Sequence, residues 1–151
     1  MVILAMDPGR SGALAVLDTE NNEVSCYDMP LAPDGNINVL DLCHLLDIHD
    51  RYDAGVIEHA HTMPADGRVS AFRYGTAFGI QYALMSIVLA RPPALVAPQK
   101  WKAYFKIGKD KQESLRLAKE KWPHNDDFTL KKHHNRAEAA LLALYYASRM
   151  V

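Results

Sequence analysis

The chain opens on Val2-Ile3-Leu4-Ala5-Met6 and places Asp7-Pro8-Gly9 directly behind that run. Five apolar residues in succession, with no polar alternation, predict a strand covered on both faces, so other elements must lie above and below it. Pro8-Gly9 turns the chain back, and Ala13-Leu14-Ala15-Val16-Leu17-Asp18 reads as the hairpin partner. Asp7 is therefore an acid at the end of a central strand, rigidly held and open enough to bind a metal. The same carboxylate also fits an Asx-turn, in which it only ties down the local backbone. What the rest of the chain brings to Asp7 decides between these uses.

Glu23-Val24-Ser25-Cys26-Tyr27-Asp28 alternates well enough for a third strand, ended by Met29-Pro30. Asn38 can cap a helix running to about His49, with Val39, Leu42, Leu45 and Leu46 on its buried side and Asp41 in its first turn. Asp53 to Glu58 is a fourth short strand, and it too ends in a carboxylate. His59 to Val69 contains Pro64 and Asp66-Gly67 and predicts a loop. Ser70 to about Leu89 reads as a helix in which Gly75 and Gly79 permit close approach of another helix. Ala94 to Ala97 is a fifth strand, and Pro98 begins a helical turn carrying Lys100, Trp101 and Lys102, where Trp101 reads as a packing residue. Asp110 and Glu113 match a capping box for a helix to about Trp122; a polar loop follows from Pro123 to Lys132. The last helix, Asn135 to Arg149, sets Ala137, Leu141, Leu144 and Tyr145 at helical spacing. Strands interleaved with helices in this order imply an α/β fold: a mixed five-stranded sheet with helices on both faces.

The 151 residues suit a single domain, 1–151. No apolar run reaches the roughly 18 residues that span a bilayer, and the N-terminus lacks a secretion signal, so a soluble, cytoplasmic protein is expected. Cys26 and Cys43 are isolated and read as packing residues rather than as a zinc or disulfide framework. The net charge of −1 conceals an asymmetry. Residues 1–90 hold 4 Lys/Arg against 12 Asp/Glu, and residues 91–136 hold 12 against 5. An acidic segment followed by a basic one suits a protein that gathers cations on one side and phosphates on the other, although a solvated lysine-rich helix has the same composition.

Three acids stand out: Asp7 and Glu58 at two strand ends, and Glu138 in the first turn of the last helix. If the strands ending at Asp7 and Glu58 are parallel neighbours, their ends meet at one edge of the sheet, where ligands of α/β folds bind. Carboxylates are natural ligands for magnesium or manganese. Two such ions about 3.5–4 Å apart can activate water, hold a phosphodiester and stabilise the leaving 3′ oxygen, which makes hydrolysis of nucleic acid the obvious use.

In this order and spacing, several stretches resemble one family. They are Ile3-Leu4-Ala5-Met6-Asp7-Pro8-Gly9 with Gly12-Ala13, Val56-Ile57-Glu58, Gly67-Arg68-Val69-Ser70 with Phe72 and Gly75, Pro98-Gln99-Lys100-Trp101-Lys102, Lys109-Asp110-Lys111, and Arg136-Ala137-Glu138-Ala139-Ala140-Leu141-Leu142-Ala143. The chain resembles, over nearly its whole length, the RuvC-like Holliday junction resolvases of the ribonuclease H-like superfamily, especially their phage-encoded branch. That resemblance implies a homodimer, at least on DNA, that binds a four-way or branched junction and nicks it with two Mg2+ or Mn2+ ions per site. It places metal-binding acids at Asp7, Glu58 and Glu138, and expects a fourth, usually an aspartate, three to five residues before Glu138.

At that point this chain has His133-His134-Asn135 and no carboxylate. Residues three or four apart share a helical face, so Asn135 or His134 could share a metal with Glu138. Some similar resolvases use a histidine in this region, and imidazole suits manganese, so the resemblance favours His134 as the fourth ligand, with Asn135 and His133 behind it. Asn135-Arg136-Ala137-Glu138 also fits a capping box, in which both polar side chains merely tie down the helix start. The loop after Glu58 is expected by resemblance to reach into the junction, with Arg68, Phe72 and Arg73 contacting phosphate or base. Phe72 fits a core position equally well. Lys100, Lys102, Lys106, Lys109, Lys111 and Arg136 are candidate phosphate contacts, and Lys109 and Lys111 resemble the family's lysines nearest the scissile bond. His59 and His61 read as supporting or structural groups. Two rivals remain. Sugar kinases and actin-like ATPases open on a similar strand and turn, but need two such domains; a silent junction-binding protein would explain the missing acid.

Overall fold

The computed structural model describes residues 1–59 and 65–150. Its strands are β1 (Val2–Asp7), β2 (Ala13–Asp18), β3 (Glu23–Asp28), β4 (Ala54–Glu58) and β5 (Ala94–Val96), in the sheet order β3-β2-β1-β4-β5. β1 pairs antiparallel with β2 and parallel with β4, and β4 pairs parallel with β5. The helices are α1 (Val39–Leu46), α2 (Arg68–Val88), α3 (Pro98–Phe105), α4 (Lys111–Lys121) and α5 (His134–Met150). The mixed sheet with helices on both faces is as the pattern of elements implied. No helix among the described residues is long and apolar enough to cross a membrane.

Alternation along β1 divides the core in two. Ile3 and Ala5 point into a cluster with Trp101, Leu115, Phe128, Ala139 and Leu141, on the side of α3, α4 and α5. Leu4 and Met6 point the other way, into a cluster with Leu42, Leu46, Ala77 and Met85 from α1 and α2. This is why β1 is apolar at every position. α5 crosses β1 and β2 and buries Ala137, Ala139, Ala140 and Ala143 against them, with Ala5, Ala13 and Ala15 beneath. Small side chains on both surfaces let the helix lie close to the strands.

The capping residues behave unevenly. Asn38 caps α1, its Oδ1 accepting from the Asp41 N–H at 3.2 Å, but the helix ends at Leu46 rather than near His49, where Ile48 has already turned to solvent. Asp110 caps α4 by accepting from the Gln112 N–H at 2.9 Å. The expected box with Glu113 does not form: the Asp110 side chain takes the Gln112 N–H rather than that of Glu113, and the Glu113 carboxylate accepts from the Gly108 N–H. α2 begins at Arg68, so Arg68 and Val69 belong to the helix and not to the predicted loop. The polar stretch before α5 contains two 3-10 turns, Asp126–Phe128 and Lys131–His133, and Phe128 anchors the first in the core.

Candidate active site

Asp7 follows Ile3 and Ala5 in phase, and Glu58 follows Ala54 and Val56, so both acids leave the sheet on the α5 side. The parallel ladder between β1 and β4 ends at Met6 and Ile57, which makes Asp7 and Glu58 the next residues on neighbouring strands. Glu138 comes down from α5 and is buried, 7% exposed; because α5 starts at His134, Glu138 opens its second turn and does not lie, as the sequence implied, in the first. The three carboxylates sense one another. Burial pushes the Asp7 carboxyl well above its ordinary range, and the charges of Glu58 and Glu138 push it further. Burial also raises Glu58, with Glu138 adding to it, against the hydrogen bond from Trp101 and the charge of Lys102.

α3 supplies the counterweights. Pro98 at its first position and Lys106 in the left-handed conformation at its end bound a helix of two turns. Trp101 Nε1 donates to Glu58 Oε2 at 2.8 Å, and the adjacent Lys102 Nζ donates to Glu138 Oε1 at 2.8 Å. Ser114 Oγ on α4 reaches the same Glu138 oxygen at 3.5 Å. Three acids against one embedded ammonium remain net negative in a region that water reaches poorly, an arrangement that asks for further cations. Oxygen-only donors at this edge fit a hard divalent ion such as Mg2+ or Mn2+. The cage is not ready-made, however: among the described residues no three His, Cys, Asp or Glu side chains close around one point, and Lys102 holds Glu138 aside.

No family model matches the chain, and no curated protein matches its sequence. Solved structures do match. The chain superposes on T. thermophilus RuvC in complex with a Holliday junction substrate with a TM-score of 0.68 and 17% identity, covering 99% of this chain and 96% of that one. A second T. thermophilus RuvC structure gives 0.65 and 15%, covering 99% and 97%, and the yeast mitochondrial Holliday junction resolvase gives 0.52 and 16%, covering 95% and 78%. The chain has the RuvC resolvase fold.

Within that fold the fourth corner of the site is formed by His133, His134 and Asn135 at the start of α5. α5 begins at His134, so Asn135 lies inside its first turn, and Glu138 is held by Lys102 and Ser114; no capping box forms between them. Asn135 Nδ2 donates to the Ser11 carbonyl, tying α5 to the β1–β2 turn. His133 is buried and accepts the Leu130 N–H at Nδ1, 3.3 Å, which commits its lone pair to the turn before α5. Burial and the Arg136 charge lower its pKa. His134 Nδ1 instead lies 3.3 Å from the Lys131 carbonyl. A carbonyl can only accept, so this contact favours the proton on Nδ1 and the lone pair on Nε2.

The remaining candidate residues of the RuvC-fold site separate. Lys111 opens α4, and its charge lowers Asp7 together with that of Lys102. Lys100, Lys106 and Lys109 are exposed on the same basic stretch. Arg68 and Arg73 are exposed, and Phe72 is 76% exposed, which rules out the core alternative for it. Arg73 lines a small cleft with Gly9, Arg10, Ser70 and Tyr74, beside the turn that carries Asp7. Arg136, expected among the phosphate contacts, is tied to Asp28 by Nε at 2.7 Å and Nη2 at 2.9 Å, and to Asp127 at 3.5 Å. It joins β3 to α5, and its guanidinium holds Asp28 below the usual carboxylate range. His59 packs its ring 6.1 Å from Phe78, while His61 lies outside the described residues. Two clefts, one lined by Asn22, Lys121 and Trp122 and the other by Met1, Tyr104 and Leu144, lie at the far end of the sheet from the acids.

Sequence reasoning missed two contributors. Trp101 packs in the core, as the sequence implies, and only its indole contact with Glu58 goes beyond that expectation. The available signal was that a buried indole N–H must find an acceptor. Lys102 was expected on DNA, and its embrace of Glu138 depends on how α3 crosses α5.

Proposed function

We propose that this protein is a metal-dependent endonuclease that cleaves four-way or otherwise branched DNA. What carries the reading is the convergence of Asp7, Glu58 and Glu138 at one sheet edge within the RuvC fold, with Lys102 and Lys111 beside them. Divalent cations held there would activate water and stabilise the leaving oxygen as the P–O3′ bond breaks, leaving a 5′ phosphate and a 3′ hydroxyl. Asp7 and Glu58 hold their carboxylates rigidly at strand ends. Glu138 would exchange Lys102 for a cation, and the ammonium so released would, with Lys111, face the scissile phosphate. Arg68, Phe72 and Arg73 lie beside this edge, where an exposed aromatic ring can stack on an unpaired base at a branch. Lys100, Lys106 and Lys109 extend the phosphate track and contribute affinity without sequence preference.

His134 Nε2 is the best candidate for the fourth ligand. His134→Ala is expected to lower the cleavage rate at least about tenfold while leaving junction affinity unchanged. Single-turnover cleavage and a binding titration in Ca2+ measure the two effects; a loss with Asn135→Ala and not with His134→Ala would reassign the ligand.

The protein is proposed to act as a homodimer through α2. Gly75, Thr76, Gly79, Ala83 and Ile87 share one exposed helical face without a charge. A Cβ added at Gly79 would meet nothing within 4 Å, so Gly79→Arg leaves the monomer intact and removes a helix glycine worth about 1 kcal/mol. Light scattering on the junction complex is expected to find two protomers for the wild type and one for Gly79→Arg.

The absent fourth carboxylate favours one other reading, a junction-binding protein without activity. Incubating the protein with a labelled four-way junction in Mg2+ and in Mn2+ separates the two. Symmetric nicks that disappear in Asp7→Asn support the nuclease, and binding without nicks in both metals supports the silent protein.

A further inference from the structure

We infer that Trp101 is a positioning residue for Glu58: its indole N–H occupies Oε2 and so presents Oε1 to a divalent cation. This rests on the proposed metal-dependent reading of the site and deepens it. Trp101 is 0% exposed and packed in the same cluster as Val56, Val96, Ala137 and Leu141, so its ring has a fixed place. From there Nε1 reaches Glu58 Oε2 at 2.8 Å, a charge-assisted bond on one oxygen only. Indole nitrogen donates and never accepts, so it cannot itself take a metal; what it can do at Glu58 is to fix the carboxylate.

That restraint has a purpose on a glutamate. The terminal carboxylate torsion is broad, and without a partner the group could turn or chelate one ion with both oxygens. Holding Oε2 leaves a single oxygen of defined direction. The neighbouring Lys102 holds Glu138 from the same helix, so two consecutive residues of α3 set two of the three acids. Simple satisfaction of a buried indole does not require a carboxylate. The second tryptophan, Trp122, donates instead to the Asn22 carbonyl at 3.0 Å, at the other end of the sheet.

The test replaces Trp101 site-specifically with benzothienylalanine, which keeps the ring shape and exchanges N–H for sulfur, alongside Trp101→Phe. Mn2+ binding to the DNA-free protein is measured by titration calorimetry, with the thermal midpoint recorded in parallel and Glu58→Gln as reference. For the analogue, which keeps the ring in place, Mn2+ is expected to bind about 10- to 100-fold more weakly, with a cooperative thermal transition showing that the protein is still folded. The Mn2+ concentration for half-maximal junction cleavage should rise by the same factor, and the rate should recover at saturating metal. Affinity within twofold of the wild type overturns the inference. If Glu58→Gln weakens Mn2+ binding and the analogue does not, the role of Trp101 alone fails. If Glu58→Gln has no effect either, the metal reading of the site fails with it. Should Trp101→Phe not fold, the analogue decides.

Discussion

Asp7→Asn is expected to abolish junction cleavage, by roughly three orders of magnitude or more, and at the same time to make the metal-free protein more resistant to heat. The first effect follows because a metal-held transition state is worth several kcal/mol, and about 1.4 kcal/mol is tenfold in rate. The second follows from the electrostatics of the three acids. Burial, Glu58 and Glu138 raise the Asp7 carboxyl well above 3.8 in the folded state. Between that ordinary value and the raised one, the folded protein binds more protons than the unfolded chain. Stability therefore falls as pH rises through this window, and above it the ionised Asp7 imposes its full penalty. Asparagine keeps the shape and cannot ionise. Thermal midpoints in EDTA are expected to coincide below about pH 4, where both forms are neutral, and to separate in favour of Asp7→Asn as pH rises. Mg2+ or Mn2+ should narrow the gap at neutral pH by stabilising the wild type alone. Glu58 is raised for the same reasons and adds to the decline in both proteins.

The second large effect is expected from Gly12→Ala, a change of one methyl group outside the constellation. Gly12 closes the turn between β1 and β2, its N–H reaching the Gly9 carbonyl at 3.3 Å and its own carbonyl accepting from Met29 at 3.0 Å. A Cβ at Gly12 would lie 2.0 Å from the Asp7 carbonyl oxygen and 3.0 Å from the Asp7 carbonyl carbon. Both atoms are backbone, so relief requires the hairpin end to open, and Asp7 moves with it. Overpacking of this kind costs about 1–3 kcal/mol, which in a protein of this size lowers the thermal midpoint by about 2–4 °C per kcal/mol. A displacement near 1 Å at a catalytic carboxylate can lower the rate about 100-fold. Cleavage is therefore expected to fall far more than stability does. Gly67→Ala is the control, since Gly67 has φ −64° and a Cβ there meets nothing within 4 Å. Equal activity in the two variants would mean that the turn absorbs the methyl group without moving Asp7.

Much of this site is legible in one dimension because strand periodicity is local. Val2 to Met6 announces a strand buried on both faces, and the acids at Asp7 and Glu58 announce strand ends. The five strands follow from apolar runs, alternation and turn residues, and α5 from its run of alanines and leucines. Helix starts are less legible: Arg68 and His134 enter their helices one or two residues early, since neither start depends on a capping side chain. Phe72 is beyond sequence reasoning, because whether an aromatic beside an apolar helix faces core or solvent depends on which face of α2 meets the sheet.

What the sequence by itself determined is the set of acids and the sheet that carries two of them, for residues two apart on a strand share a face whatever the rest of the chain does. What only the tertiary structure decided is how those acids are restrained. Trp101 meets Glu58 across 43 residues, Lys102 meets Glu138 across 36, Asn135 meets Ser11 across 124 and Arg136 meets Asp28 across 108. Donor and acceptor types are written along the chain, but their partners are chosen by how α3 and α5 cross the sheet, and that crossing is set by the volumes of small buried residues on both surfaces.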